Sequence, residues 1–307
     1  MNYELCARKY FALLAKNYEF ICTFVLEMNY TLNIKGQLLD LSKPRVMGIL
    51  NATPDSFFAG SRKQSEHEIA ERADEIVGQG GDFIDVGGYS TRPGAAEVSQ
   101  EEEMERLRMA LGAVRRVQPD VSLSVDTFRP DAARMAVEEF GADIINDVSE
   151  GGVTGIVGRQ LAAEGGEVPQ IFRTVASLQV PYILMSVQKD LHDTLMAFAK
   201  KVQQLRDLGQ KDIILDPGFG FGKTLEDNYR LMGEMEKLQV MELPLLVGIS
   251  RKSMIYRLLG TDADQALNGT SVLNTIALMK GASILRVHDV KEAVECVKIV
   301  SSSMASR

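Results

Sequence analysis

The chain has 307 residues, 45% of them hydrophobic, enough to bury a full core, and one large domain is the default organisation at this length. A formal net charge of −8 leaves no basic footprint for nucleic acid or an anionic membrane surface, so neither is an expected partner and any bound anion must be held by local groups. Cys6, Cys22 and Cys296 are odd in number and share no metal-ligand spacing, which points to neither a disulfide framework nor a zinc site and fits a reducing cytoplasm.

In the first 27 residues the apolar run from Phe20 to Leu26 is too short to span a bilayer, and no small-residue cleavage site follows it. Met28 is therefore the expected natural start, with residues 1–27 an upstream extension and 28–307 the functional domain. Thr31 to Ile34, a turn at Lys35-Gly36, and Gln37 to Leu39 read as a short β-hairpin lead-in.

Short β-branched runs then alternate with longer segments of helical period, the pattern of parallel strands joined by crossover helices. Strands are expected at Arg45 to Leu50, Phe83 to Val86, Val121 to Val125 and Asp143 to Asn146. Four more follow at Tyr182 to Met185, Ile213 to Leu215, Leu245 to Ile249 and Ser283 to Val287. The intervening helices include Ser65 to Gln79, one capped by Ser99 with Glu102 three residues on, Pro130 to Phe140, Pro169 to Leu178, Leu191 to Leu208 and Leu225 to Leu238. Helical stretches continue to Met279, and a final helix begins at Val290. About eight β/α units predict a (β/α)8 TIM barrel, with a doubly wound open sheet as the runner-up because strand order is not readable from sequence.

In such a barrel the site lies at the carboxyl ends of the strands. Polar residues collect there: Asn51, then Ser90, Thr91 and Arg92, then Asp126, Asn146, Asp147, Asp216, Ser250, Arg251, Lys252, Arg286 and His288. Carboxylates, an amide, a lysine and further cationic groups suit a flat hydrogen-bonding heterocycle carrying an anionic leaving group. There is no GxSxG, and three histidines, His67, His192 and His288, give no histidine-rich metal centre. The run Asp216 to Thr224 ends like a phosphate loop, but Pro217 breaks the Walker spacing. It reads instead as a tight turn in which Gly218, Gly220 and Gly222 admit a ligand to the backbone while Phe219 and Phe221 supply apolar walls.

Several segments carry a family resemblance. Met47-Gly-Ile-Leu-Asn-Ala-Thr-Pro-Asp-Ser-Phe57, Asp85-Val-Gly-Gly-Tyr-Ser-Thr-Arg-Pro-Gly94, Ser124-Val-Asp-Thr127, Ile145-Asn-Asp147, Leu215-Asp-Pro-Gly-Phe-Gly-Phe-Gly-Lys223, Gly248-Ile-Ser-Arg-Lys252 and Arg286-Val-His-Asp289 resemble, in order, the signatures of dihydropteroate synthases. The resemblance runs from about Met28 to the C-terminus. It implies condensation of a dihydropterin carbinol diphosphate with p-aminobenzoate, sulfonamides as p-aminobenzoate analogues, and a homodimer. It further implies pterin binding by Asp126, Asn146, Asp216 and Lys252, and diphosphate binding by Asn51, Arg286 and His288, with Asn51 acting through Mg²⁺. Thr91, Arg92, Pro93, Phe219 and Ser250 would frame p-aminobenzoate, and Met185 and Gly218 complete the substrate-binding set. The loops from Ala52 to Arg62 and from Tyr89 to Val98 are expected to order over the site as ligands bind. Two positions depart from the family pattern: Tyr89 stands where Glu is usual, and Leu184-Met-Ser-Val-Gln-Lys189 replaces Leu-Met-His-Met-x-Gly.

Taken singly, these residues have plainer readings. Asp126 serves as a helix cap, Asp147 and Asn51 as turn residues, Lys252 as a solvated helix-start lysine, and His288 as a structural ring paired with Asp289 or a carbonyl. Glu101-Glu-Glu103 reads as a solvated first helical turn, and the methionine-rich helices as packing. Two competing functions are a methyltetrahydrofolate methyltransferase-like barrel, which would share the pterin set, and a non-catalytic pterin-binding paralogue.

Overall fold

The computed structural model describes residues 30–52, 62–89, 98–152 and 168–304. The expected extension 1–27, the choice of Met28 as start, Thr91, Arg92 and Pro93, and most of the two loops expected to order over the site lie outside the described residues. The described chain opens on an antiparallel hairpin, β1 (Thr31–Ile34) and β2 (Gln37–Asp40), in register from Thr31↔Asp40 to Ile34↔Gln37. Its two turn residues, Lys35 and Gly36, both take positive φ, the twist that a two-residue hairpin loop requires.

Eight parallel strands follow: β3 (Arg45–Asn51), β4 (Phe83–Gly87), β5 (Ser122–Asp126), β6 (Ile144–Asp147), β7 (Tyr182–Met185), β8 (Ile213–Asp216), β9 (Leu245–Val247) and β10 (Ala282–Val287). They close into a ring in which β10 pairs with β3, as in Arg286↔Met47. The closed ring meets the (β/α)8 expectation and overturns the open-sheet alternative. Around it run α1 (Arg62–Gly78), α2 (Gln100–Val117), α3 (Pro130–Phe140), α4 (Gln170–Leu178) and α5 (Leu191–Asp207). The outer layer is completed by α6 (Leu225–Glu234), α7 (Ser253–Leu259), α8 (Leu267–Met279) and α9 (Val290–Met304). No helix among the described residues is long and apolar enough to cross a membrane.

Local chemistry sets the boundaries. The Ser99 hydroxyl accepts from Glu102 N at 3.1 Å, the expected cap of α2. Pro130 begins α3, whose missing N–H costs nothing there, and Gly141 ends it at φ 61°. The helix expected to reach Leu238 instead stops at Glu234 and tightens into a 3₁₀ segment, Met235–Met241. Within it Met235, Leu238 and Met241, all buried, stand at a spacing of three, which three residues per turn brings into line.

Two apolar regions result. One lies between the strands and the helices. The other joins Met47, Phe83, Ile144, Ile183, Ile214, Leu246 and Ile284, one from each of seven strands, to Leu32 and Leu41 of the hairpin segment. The lead-in hairpin thus packs on the barrel's interior residues, and Lys35 Nζ anchors it through Asp143 at 3.1 Å.

Candidate active site

Side chains alternate along a strand, so residues two positions apart share a face. Two residues beyond the interior apolar layer, that face carries Ile49, Asp85, Asn146, Met185, Asp216, Gly248 and Arg286. Polarity therefore switches within one side-chain step, at the carboxyl ends of the strands.

At the centre is a buried ion cluster. Arg286 Nε donates to Asp85 Oδ2 at 2.6 Å and its Nη2 donates to Asp126 Oδ2 at 2.8 Å. Asp85, fully buried, also accepts from Ser124 Oγ at 2.5 Å and from Asn146 Nδ2 at 3.1 Å. With its amide nitrogen committed, Asn146 keeps a buried Oδ1 that has no hydrogen-bond partner. Such an orphan acceptor costs free energy until a donor reaches it. Burial drives the Asp126 carboxyl up to about 7 against the pull of Arg286, with Asp85 pushing the same way. Burial also opposes the charge on Arg286, but the Asp85 and Asp126 carboxylates outweigh it and hold that charge firmly.

Asp216 ends β8. Its Oδ1 accepts from Gly218 N at 2.8 Å, which leaves Oδ2 for a ligand, and burial raises its pKa against the nearby Lys252 charge. The following turn can only be glycine at 218: φ is 70°, and a Cβ there would lie 1.9 Å from the Ser186 carbonyl oxygen. Lys252 Nζ donates to the Phe219 carbonyl and sits 4.4 Å from the Phe221 ring centroid. Lys223 Nζ donates to the carbonyls of Gly218 (2.9 Å) and Ser186 (3.3 Å). Burial lowers both lysines to about 8, with Asp216 opposing the shift.

Ser250, Asn51 and His288 complete the rim. His288 Nδ1 lies 3.1 Å from Ser250 Oγ, which also accepts from His288 N. Arg72 of α1 donates to the His288 carbonyl at 2.5 Å. Asn51 and His288 line one cavity of about 400 Å³ together with Ser65, Glu68 and Arg72. Gly87 is the strand neighbour of both Asn51 and Asp126, so the two flank it across the sheet.

Asp126, Asn146, Asp216, Lys252, Arg286, His288, Ser250, Gly218, Met185 and Asn51 therefore all stand at the carboxyl ends of the barrel strands or in the turns that follow them. Phe219 differs from its expected role as an apolar wall: its ring is fully buried in the core between strands and helices, and its carbonyl meets Lys252. Asp147 takes the plainer reading, accepting from Ser149, Gly151 and the Tyr182 hydroxyl. Asp289 pairs with Arg251 at 2.8 Å rather than with His288.

Glu103 was expected in a solvated turn but is fully buried, bonded to Thr127 Oγ1 and Arg129, each at 2.7 Å. Helical spacing explains this, because Glu103 shares the inward face with Leu107 and Ala110 whereas Glu101 and Glu102 do not. Arg129 also covers the ring of Tyr89, 5.5 Å from its centroid, at the first of the two departures from the family pattern. Sequence reading left out Asp85, Ser124 and Lys223. The signal for Asp85 was an acid on the same strand face as Phe83, inside the apolar run Phe83-Ile-Asp-Val86.

A closed β/α barrel with a charged, partly unsatisfied pocket at the strand carboxyl ends defines the class: a barrel enzyme built for a polar heterocycle and an anion. Comparison with known proteins narrows it. A family model described as pterin binding enzyme matches residues 47–288. The dihydropteroate synthase of Escherichia coli (strain K12) is 39% identical over 288 residues, covering 89% of this chain and 96% of that protein. The Yersinia pestis dihydropteroate synthase, solved as a sulfonamide drug complex, superposes with a TM-score of 0.77 at 36% identity, over 91% of this chain and all of that one (100%). The Xanthomonas albilineans dihydropteroate synthase, solved with 4-aminobenzoic acid, gives 0.79 at 32% identity, over 90% and 99% of the two chains. The chain belongs to the pterin-binding enzymes, among the dihydropteroate synthases.

The depressed lysines make a stability prediction. A folded-state pKa near 8 against an ordinary 10.4 means that between those values the unfolded chain binds the extra proton, so stability must rise with pH there. Urea unfolding at pH 8 and pH 9.5 should show that rise, by up to about 1.4 kcal/mol per pH unit for each such lysine, and Lys252→Met should reduce the slope. Equal slopes in the two proteins would refute the burial of this ammonium.

Proposed function

We propose that this protein is a dihydropteroate synthase, joining a 6-hydroxymethyl-7,8-dihydropterin diphosphate to p-aminobenzoate with release of diphosphate. The observation that carries this reading is the orphan Asn146 Oδ1, buried on the same barrel face as Asp216 two strands away, whose Oδ2 is uncommitted. Two acceptors call for a ligand edge rich in N–H donors, and an aminopyrimidinone offers adjacent N–H groups that a carboxylate can accept in parallel. Asp126 and Lys252 extend the same pocket.

Substitution breaks the C–O bond at the pterin methylene; the oxygen and its electron pair leave with diphosphate. The p-aminobenzoate nitrogen forms the new C–N bond and releases one proton. A dihydropterin ring stabilises positive charge at that carbon, so the protein supplies leaving-group stabilisation and a water-poor pocket rather than a nucleophile. Arg286 and His288 take the diphosphate role. Asn51, flanked across Gly87 by Asp126, offers a hard oxygen that fits Mg²⁺, which takes few protein oxygens when phosphates and water fill its other positions; among the described residues no three acids, histidines or cysteines form a cage. Bound there through Asn51, Mg²⁺ would neutralise charge developing on the leaving diphosphate. Thr91, Arg92, Pro93 and Ser250 are assigned to p-aminobenzoate by the family resemblance, and the relatives solved with 4-aminobenzoic acid and a sulfonamide drug support that ligand class.

The proposed assembly is a homodimer. Exposed Val272 and Met279 lie seven residues apart on α8, and exposed Ile299 lies on the adjoining α9, an apolar surface that a second copy would cover. Sedimentation should return twice the chain mass; a monomer at micromolar concentration would contradict this.

Turnover is tested with the pterin diphosphate, p-aminobenzoate and Mg²⁺, followed as diphosphate release. Wild-type protein should turn over and a sulfonamide should compete with p-aminobenzoate. Asp216→Asn, which replaces an acceptor with a donor, should lower kcat/KM for the pterin by roughly 100-fold or more, about 2.7 kcal/mol of transition-state binding. No diphosphate release from protein that binds the pterin would defeat the catalytic reading.

A further inference from the structure

Outside the pocket, one buried charge pair has no part in the chemistry above. Glu150, in the loop after β6, is 2% exposed and holds φ at 58°, a conformation that is strained for a non-glycine residue. Lys201 of α5 donates to its Oε1 at 2.5 Å and to its carbonyl at 3.0 Å. On its other side Glu150 Oε2 accepts from Val187 N at 2.9 Å, and Gln188 Nε2 reaches Oε1 at 3.2 Å. Val187 and Gln188 belong to the turn after β7, the second place where the sequence departs from the family pattern.

We infer that the Glu150–Lys201 ion pair is a positioning device for the pterin pocket, fixing the Ser186–Gln188 turn against the backbone that carries Asp216 and Gly218. The inference rests on the reading of that pocket as the pterin site. Contacts run without a gap from the pair to the carboxylate. Ser186 N donates to the Asp216 carbonyl at 2.9 Å, and the Ser186 carbonyl lies where a Gly218 side chain would begin. Lys223 Nζ ties the Ser186 and Gly218 carbonyls together from the opposite side, and Gly218 N donates to Asp216 Oδ1. Ser186 Oγ accepts from Gln188 N at 3.2 Å, which closes the turn on itself.

Stability alone is a weak reason for such a pair. Taking two charges out of water is costly, and well-packed apolar residues often do as well in the same volume. What the pair contributes is geometry: one carboxylate accepting from a backbone N–H, a side-chain amide and an ammonium admits a single turn conformation. A displacement of about 1 Å in a substrate-holding element can cost up to roughly 100-fold in rate.

The test compares wild type with Glu150→Ala, Glu150→Gln and Gln188→Ala, each checked for folding by circular dichroism and thermal melting. The readouts are KM for each substrate and the Kd of the pterin diphosphate by fluorescence. Glu150→Ala should raise pterin KM and Kd about 10-fold while the KM for p-aminobenzoate changes less than about 2-fold. Glu150→Gln keeps one acceptor for Val187 N and should recover most of the loss, leaving roughly 3-fold. A purely structural role would lower the melting temperature and the folded fraction but leave both constants unchanged in the folded protein, and that result overturns the inference. Should Glu150→Ala not fold, Gln188→Ala spares the ion pair and should still raise the pterin KM about 2–3-fold; no change there also overturns it. Wild-type protein that fails to bind the pterin would defeat the parent reading, whereas wild-type binding matched by every variant defeats this inference alone.

Discussion

Everything at the strand ends depends on one guanidinium held between two carboxylates inside a closed barrel. Arg286 bridges Asp85 and Asp126, and Asp85 in turn fixes Ser124 and the amide of Asn146. Removing one member of such a buried set leaves an uncompensated charge, at about 3–5 kcal/mol, against a total stability of about 5–15 kcal/mol for a domain. The binding site and the fold are therefore not separable here. The same bonds that satisfy Arg286 decide which way Asn146 points and which of its atoms stays unpaired.

That arrangement explains how an acidic protein can bind a diphosphate. Net charge is −8, and at the strand ends Arg286, Lys252 and Lys223 are matched by Asp85, Asp126 and Asp216, so the diphosphate is left to the proposed local donors, Arg286 and His288, in a poorly solvated pocket rather than to a field across the surface. Beneath them lies the apolar plug of seven strand residues and the hairpin, which excludes water from the floor. A substitution whose difficulty is charge separation, not bond-making by a protein nucleophile, needs this combination of fixed dipoles and dryness. The turn after β7 and the glycine turn after β8 press together so closely that only hydrogen at Gly218 fits between them.

Much of this was legible in the sequence because local rules and tertiary needs agree. Strand and helix limits fell close to their expected places: Pro130 and Gly141 punctuate α3, Ser99 caps α2, and the polar residues follow apolar runs. Closure of the ring was legible only through the count of about eight β/α units, since strand pairing at the β10–β3 seam joins segments more than two hundred residues apart. Buried acids were the other blind spot. Glu103 reads as solvated in a row of three glutamates, and nothing in the sequence singles out Glu150, because their partners Arg129 and Lys201 meet them only through the fold. Asp85 was hidden inside a signature that drew attention to the residues after it. The 3₁₀ segment at Met235–Met241 was missed for a simpler reason: spacings of three and four alternate along α6, and only packing decides which continues.

The bonds of Asp85 to Arg286 and Asn146, together with that of Gly218 N to Asp216 Oδ1, leave Asn146 Oδ1 and Asp216 Oδ2 waiting for donors from one ligand edge. A crystal structure with a pterin alone bound tests it most directly. The ring should lie in the barrel mouth, with ring N–H groups within about 3.2 Å of both oxygens and the Arg286–Asp85 bond intact. A pterin bound elsewhere, or one in the mouth that leaves Asn146 Oδ1 unpartnered, would contradict it.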